Sequence, residues 1–309
     1  MSLQNSTKLY AHAIKHNYAI GAFNFVNLET LDAILKAASD EKSPVIVQCS
    51  TSAIKYAGIN NLEALIKANN YSIPIILNLD HGKTFEDCVN AINHGFTNVM
   101  IDGSTLEFSE NIKLTKKVLD YAHARGVTVE AELGILAGIE DEVNSHFSNY
   151  TNPMQAKQFV EQTGVDSLAI AIGTSHGLCK FKQVPSLKLD VLTKIEELLP
   201  NFPLVLHGAS SIDSTMVEKL NKYGANVKNA NGVPENMLVE VCTKHNIVKI
   251  NMDSDLRIAF TLGVRETLFS SPETVDIRKY LENGKNYVYN TVKNKLKNVF
   301  LSSNKANLI

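Results

Sequence analysis

Short apolar runs rich in Val, Ile and Leu alternate along this 309-residue chain with longer segments of helical periodicity. The runs predict strands at 19–25, 44–50, 74–80, 97–102, 127–133, 166–172, 203–208 and 248–253. Between them lie amphipathic stretches such as LETLDAILKAASDEK, KTFEDCVNAINHG and ENIKLTKKVLDYAHARG. In the last, Ile112, Leu114, Val118, Leu119 and Ala122 recur near helical spacing, and Gly126 supplies a stop. Near-continuous apolar strands separated by helices predict a parallel sheet covered on both faces. Eight such units in about 250 residues fit a closed (β/α)8 TIM barrel. An open doubly wound sheet is the alternative, but no GxGxxG follows the first strand.

Three segments break the alternation. The connection 133–152 is long enough in a compact domain to suggest function or disorder. Residues 224–246 insert a loop and a short helix, ENMLVEVCTKH, before the eighth strand. After about residue 270 the chain reads as additional C-terminal helices. No repeat, low-complexity tract or linker divides the sequence, so residues 1–309 are expected to form one domain.

Composition narrows the functional classes. A hydrophobic fraction of 44% and a net charge of −2 exclude disorder. The same balance argues against nucleic-acid and membrane-surface roles, which call for a basic patch. The first twenty residues lack the apolar stretch of a secretory leader. Cys49, Cys88, Cys179 and Cys242 are widely spaced, which fits a reducing, cytoplasmic setting. Only four of the basic residues are arginine (Arg125, Arg257, Arg265, Arg278), so each is a candidate for a place where a planar fork is needed.

In a barrel of this type, reactive groups project from the C-terminal strand ends. Those positions are Asn24, Ser50, Asp80 with His81, Asp102, Glu132, His176, His207, and Asn251 with Asp253. His-Gly occurs four times. His94-Gly95 closes a predicted helix, where histidine suits the dipole and glycine the turn. His81, His176 and His207 can instead converge above the barrel, and three imidazoles match the ligand count of a catalytic divalent site. Spacing alone leaves three unrelated loop histidines equally open. His12, His16, His123, His146 and His245 read as surface residues. Asp80 is either a proton-transfer group or an orienter for a ligand histidine. Glu132 ends an otherwise buried strand, where a lone carboxylate is costly. Glu140, beside Asp141 and Glu142, reads from the residues alone as a solvated loop acid. GTSHG (173–177), HGASS (207–211) and NMDSD (251–255) place small residues where backbone N–H groups meet an anion.

These residues carry a resemblance. GAFNF (21–25), LDHG (79–82), VEAELG (129–134), GTSHG, LHGASS (206–211) and NMDSDLR (251–257) closely resemble class II fructose-bisphosphate aldolases, in order along essentially the whole chain. The length of 133–152 and the compact ending resemble the IIB subgroup. The resemblance implies reversible cleavage of fructose 1,6-bisphosphate through a metal-stabilised enediolate. It makes His81, His176 and His207 ligands of a divalent ion, usually Zn2+, with Glu132 a secondary or alternate ligand. It makes Asp80 the acid that handles the C4 hydroxyl proton and Glu140 the loop acid that exchanges a proton with dihydroxyacetone phosphate. Asn251 then contacts the enediolate, and Asn24 and Lys180 border the substrate. Gly177, Gly208, Ser210, Asp253 and Ser254 form the ketose-side phosphate pocket, beside which a sodium or potassium ion often sits. Ser50 and Arg257 bind the other phosphate, with Arg278 supplied by a neighbouring subunit of a homodimer or homotetramer.

The pattern departs in two places. Leu178-Cys179 stand where an aromatic often precedes Lys180, which predicts Cys179 as a packing residue. Asp102-Gly103-Ser104 is followed by TLEF rather than a histidine pair. A Schiff-base alternative would use a buried lysine, but Lys249 is expected to face the helices. Tagatose-bisphosphate aldolases share the implied chemistry; their small residue at the position of Asp253 favours fructose bisphosphate here. A non-catalytic phosphosugar-binding barrel is the reading from another class.

Overall fold

The computed structural model describes residues 2–135, 137–140, 143–145, 150–177, 186–228 and 230–308, with backbone only at 2, 137–140, 143–145 and 176. Eight strands form its centre: β1 (Ile20–Asn24), β2 (Val45–Ser50), β3 (Pro74–Gly82), β4 (Asn98–Ile101), β5 (Thr128–Leu133), β6 (Ser167–Ile170), β7 (Leu204–Leu206) and β8 (Ile247–Met252). Each pairs in parallel with the next, and β8 returns to β1 with Asn251 opposite Ala22, so the sheet closes on itself. This is the expected (β/α)8 barrel. The strands lie where the apolar runs place them, with ends shifted by at most two residues.

Closure divides each strand by its period of two. Val45, Val47 and Cys49 of β2 and Ile75, Leu77 and Leu79 of β3 face the helices and belong to the main hydrophobic cluster. The helices between strands start with side-chain caps. Asn27 and Thr84 each form a reciprocal capping box, opening Leu28–Asp40 and Phe85–Asn93. His94 closes the latter with Nδ1 2.8 Å from the Asn90 carbonyl, as the His-Gly pair predicts. A helix that the periodicity did not single out, Ser6–Lys15, packs Leu9, Tyr10 and Ala13 against Ile20, Ala22, Ile46 and Ile76 near the N-terminal strand ends.

The three irregular segments resolve differently. Within 133–152 the described residues include a hairpin, Ala137–Glu140 against Val143–Ser145, whose first strand also pairs with Ser175–His176. Glu140 is therefore a strand residue opposite Val143, not a loop residue. The inserted helix is Glu235–Lys244. The C-terminal helices follow the last barrel helix, Ser254–Ser270, as Ile277–Asn294 and a π-helical turn, Lys295–Val299. The helices 254–270 and 277–294 cross at Gly263, where a Cβ would meet the Asn283 carbonyl oxygen at 2.5 Å. Among the described residues, no helix is long and apolar enough to cross a membrane.

Candidate active site

The polar strand ends meet around Asp80. Register places Asp80 of β3 beside Ser50 of β2. Its two carboxylate oxygens are held separately: Oδ1 accepts from Asn251 Nδ2 at 3.0 Å and Oδ2 from Asn24 Nδ2 at 2.8 Å. The next residue, His81, adopts φ +50°, in the left-handed region. A non-glycine residue held there is uncommon, and such positions concentrate at functional sites. The turn aims the imidazole across the strand ends toward β7. His81 Nε2 lies 2.9 Å from His207 Nδ1, with the rings perpendicular and their centroids 4.7 Å apart.

Each imidazole is oriented through its other nitrogen by a carboxylate. His81 Nδ1 lies 3.1 Å from Asp102 Oδ2, which also accepts from Lys83 Nζ at 2.7 Å. His207 Nε2 lies 2.7 Å from Glu130 Oε1, whose Oε2 accepts from Lys249 Nζ at 2.8 Å. A carboxylate behind a histidine fixes its tautomer and makes the forward nitrogen a better ligand. The two forward nitrogens face each other. Asp80, His81 and His207 offer ligand atoms within 4.8 Å of one another, as do His81, Asp102 and Glu132.

Burial and charge compete strongly here. Burial alone would lower the His81 pKa, but the charges of Asp80, Asp102 and Glu132 lift it to about 9. Burial raises Glu132 to about 8, with the Asp102 charge adding to the effect. Glu130 resists its burial because Lys249 and His207 hold it at about 2. His207 is lowered, chiefly by burial. Lys83 pairs with Asp102 and Lys249 with Glu130, so of the four buried carboxylates Asp80 and Glu132 are left to the two imidazoles among the described side chains. Among the described residues, two buried oxygens, Glu132 Oε2 and Asn251 Oδ1, find no hydrogen-bond partner. A divalent cation would offset both deficits, so the residues present fit a metal centre.

The third expected ligand, His176, is described in backbone only. Its segment packs directly against that of His207: a Cβ on Gly208 (φ +59°) would meet the Ser175 carbonyl oxygen at 2.6 Å. Gly177 also has positive φ, +87°. Ser210 is buried, and Ser254 opens the helix Ser254–Ser270 just after Asp253. Ser50 caps Thr51–Ala57, its Oγ accepting from Ala53 N–H at 3.3 Å. Arg257 Nη2 pairs with Asp253 Oδ2 at 2.7 Å across one helical turn, joining two residues expected at different phosphates. Arg278 is not at the site of its own chain. Its guanidinium is exposed, pairs with Asp276 at 2.8 Å and borders a groove with Leu28 and Ile277. Lys180, Cys179 and His146 lie outside the described residues, and for Glu140 only the backbone is described.

Two expectations are corrected. Lys249 does not face the helices. It lies two residues before Asn251, hence on the same inward side of β8, and is fully buried on Glu130. His245 is not a surface residue; its side chain is 12% exposed and its Nδ1 lies 2.7 Å from Glu196 Oε2. Glu130 and Lys249 are site residues that the sequence reading missed. Their signal was parity, since Glu130 precedes Glu132 by two and Lys249 precedes Asn251 by two.

A closed parallel barrel whose strand ends carry facing imidazoles among buried carboxylates has the architecture of a metal-assisted enzyme. The family model described as fructose-bisphosphate aldolase class-II matches residues 4–305. The chain is 43% identical to the fructose-bisphosphate aldolase of Treponema pallidum, over 99% of this chain and 98% of that protein. It is 45% identical to that of Helicobacter pylori (strain 26695), over 95% and 96%. The crystal structure of the YdjI aldolase from Escherichia coli K12 superposes with a TM-score of 0.80 at 31% identity, covering 98% of this chain and 99% of that one. The chain belongs to the class II fructose-bisphosphate aldolases.

Proposed function

We propose that the protein reversibly cleaves fructose 1,6-bisphosphate to dihydroxyacetone phosphate and glyceraldehyde 3-phosphate. The observation that carries this is Asp80, held at both oxygens beside the facing nitrogens of His81 and His207. His81, His207 and His176 would hold a divalent ion, zinc by family resemblance, with Glu132 as secondary or alternate ligand. When bound, the ion supplies Lewis-acid polarisation of the ketose carbonyl. Asp80, each oxygen already accepting one amide N–H, has a lone pair left for the C4 hydroxyl. It takes that proton as the C3–C4 bond breaks and the bonding electrons pass to C3. Glu140 returns a proton to C3. Asn251, whose Oδ1 finds no hydrogen-bond partner among the described residues, contacts the reacting ketose half through its amide.

Phosphate binding is divided between two ends. Gly177, Gly208, Ser210, Asp253 and Ser254 serve the ketose-side phosphate, where small residues and the start of a 17-residue helix present N–H groups. A sodium or potassium ion beside these segments fits the same reading. Ser50 and Arg257 serve the other phosphate, with Asn24 and Lys180 at the substrate's edge. Arg278 completes that end from a neighbouring subunit of a homodimer or homotetramer. Its 87% exposure and the exposed Leu28 and Ile277 beside it support a surface awaiting a second copy. The length of 133–152 and the compact ending favour the IIB subgroup, and the absence of a linker favours one domain. Free, buried Cys49, Cys88 and Cys242 suit the cytoplasm.

A retro-aldol assay tests the reading. Cleavage is expected to stop on chelation and to return with zinc; activity that survives complete metal removal overturns the mechanism. Comparing fructose and tagatose bisphosphates decides the sugar, and preference for tagatose reassigns it. Tight binding of the substrate to zinc-loaded protein without cleavage supports a phosphosugar-binding role instead.

A further inference from the structure

A file of buried polar side chains crosses the barrel interior, most of it outside the reaction described above. It begins at Ser6, the first residue of helix Ser6–Lys15, whose backbone N–H and Oγ both donate to Thr128 Oγ1 at 3.1 and 2.9 Å. Thr128 Oγ1 donates to Asn98 Oδ1 at 2.6 Å, and Asn98 Nδ2 donates to Asn78 Oδ1 at 2.7 Å. Asn78 Nδ2 donates to Gln48 Oε1 at 3.0 Å, and Gln48 Nε2 donates to Asn24 Oδ1 at 2.7 Å. Asn24 Nδ2 then donates to Asp80 Oδ2 at 2.8 Å. Ser6, Gln48, Asn78 and Asn98 have no exposed surface.

The two ends set the polarity of the whole file. A backbone N–H can only donate and an ionised carboxylate can only accept. Each amide between them therefore has one allowed orientation, because turning any of them would set two N–H groups or two carbonyl oxygens face to face. Apolar side chains would fill the same inward positions without the cost of desolvating four amides. Hydrogen bonds aligned head to tail also strengthen one another in a low-dielectric interior.

We propose that Thr128, Asn98, Asn78 and Gln48 are positioning residues for proton transfer at Asp80. The file locks the Asn24 amide, and Asn24 with Asn251 fixes the plane of the Asp80 carboxylate from its two sides. None of the four needs to touch substrate. The inference rests on the reading of Asp80 as the group that exchanges the C4 hydroxyl proton.

The test separates cleavage from a half-reaction that bypasses Asp80. Thr128→Val keeps the shape and removes the hydroxyl, Asn98→Leu cuts the file one link later, and Thr128→Ser restores a hydroxyl. For each zinc-loaded variant, kcat and KM for cleavage are measured beside solvent deuterium exchange into dihydroxyacetone phosphate. Thr128→Val and Asn98→Leu are expected to lower cleavage kcat by at least ~10-fold, with KM within about twofold and exchange retained. Thr128→Ser is expected to stay near the parent rate. Equal losses in cleavage and exchange, or no loss in a folded Thr128→Val, overturn the proposal. If Asn98→Leu does not fold, the Thr128 pair alone decides. Asp80→Ala is the separate control: if it cleaves normally, the reading of Asp80 fails, whatever the file does.

Discussion

Above the apolar plug that Ile20, Ala22, Ile46 and Ile76 form with helix Ser6–Lys15, the two faces of the barrel follow opposite rules. Outward, Val45, Val47, Ile75, Leu77 and Leu79 form a continuous apolar layer under the helices. Inward, Gln48, Asn78, Asn98, Thr128, Glu130 and Lys249 are equally buried, yet each is polar and each is paired. The outer face holds the barrel by removing area from water, which is non-directional and tolerant of exchange. The inner face contributes little net stability, because burying polar groups is costly even when they are bonded. What it contributes is direction: every inward chain ends on Asp80 or on a histidine of the candidate metal centre.

That contrast can be broken at several points. The largest effect is expected at the chemical end of the inner face. Asp80→Ala should lower cleavage kcat by roughly 10²–10⁴-fold with the fold intact, measured by steady-state kinetics and thermal unfolding. Next is Lys249→Met, which strands Glu130 as an unpaired buried charge and should cost about 3–5 kcal/mol of stability. Adding Glu130→Leu should recover most of that loss in denaturant unfolding. The double variant should still bind zinc about 10–100-fold more weakly, because His207 loses its orienting carboxylate. Full recovery of both properties would mean that the pair is only filling space.

On the outer face, Leu77→Ala should cost about 2–5 kcal/mol of stability through cavity formation, with kcat unchanged in the folded protein. A large kinetic effect there would erase the distinction between the faces. Proton competition comes next. With the metal-free His81 pKa held at about 9, binding an ion must displace its proton. Zinc affinity should therefore fall about tenfold for each pH unit below that value, read by chelator competition. For the metal-free fold the sign is opposite: the stability contributed by protonated His81 is present below 6.5 and disappears as pH rises through about 9. The smallest effect is on stability at Arg278. Its pair with Asp276 is exposed, so Arg278→Ala should leave the melting temperature unchanged while raising KM if a second copy uses that guanidinium.

The outer face was legible in the sequence and the inner face only partly. Eight apolar runs with intervening helical periods define a parallel sheet covered on both faces, and the lack of a GxGxxG after the first strand favours the closed barrel over an open doubly wound sheet. Asp80, His81 and His207 were legible because polar residues stand out at the ends of apolar runs. Glu130 and Lys249 were not recognised, although their parity matched Glu132 and Asn251. An isolated charged residue inside a strand has no meaning until its opposite number is known. Asn78 sits mid-run and reads as an interruption, and Asn98 stands at the start of its strand, where it reads as a loop residue.

By itself the sequence determined the eight-fold alternation, the polar strand ends and the family motifs, all of which depend on neighbours along the chain. The tertiary structure alone decided which polar residue answers which. Asn78 meets Asn98 and Gln48 because closing the barrel sets the stagger of β2, β3 and β4. Lys249 meets Glu130 across 119 residues of chain. Hydrogen-bond direction and charge pairing act over about 3 Å, and only closure brings these side chains within that reach.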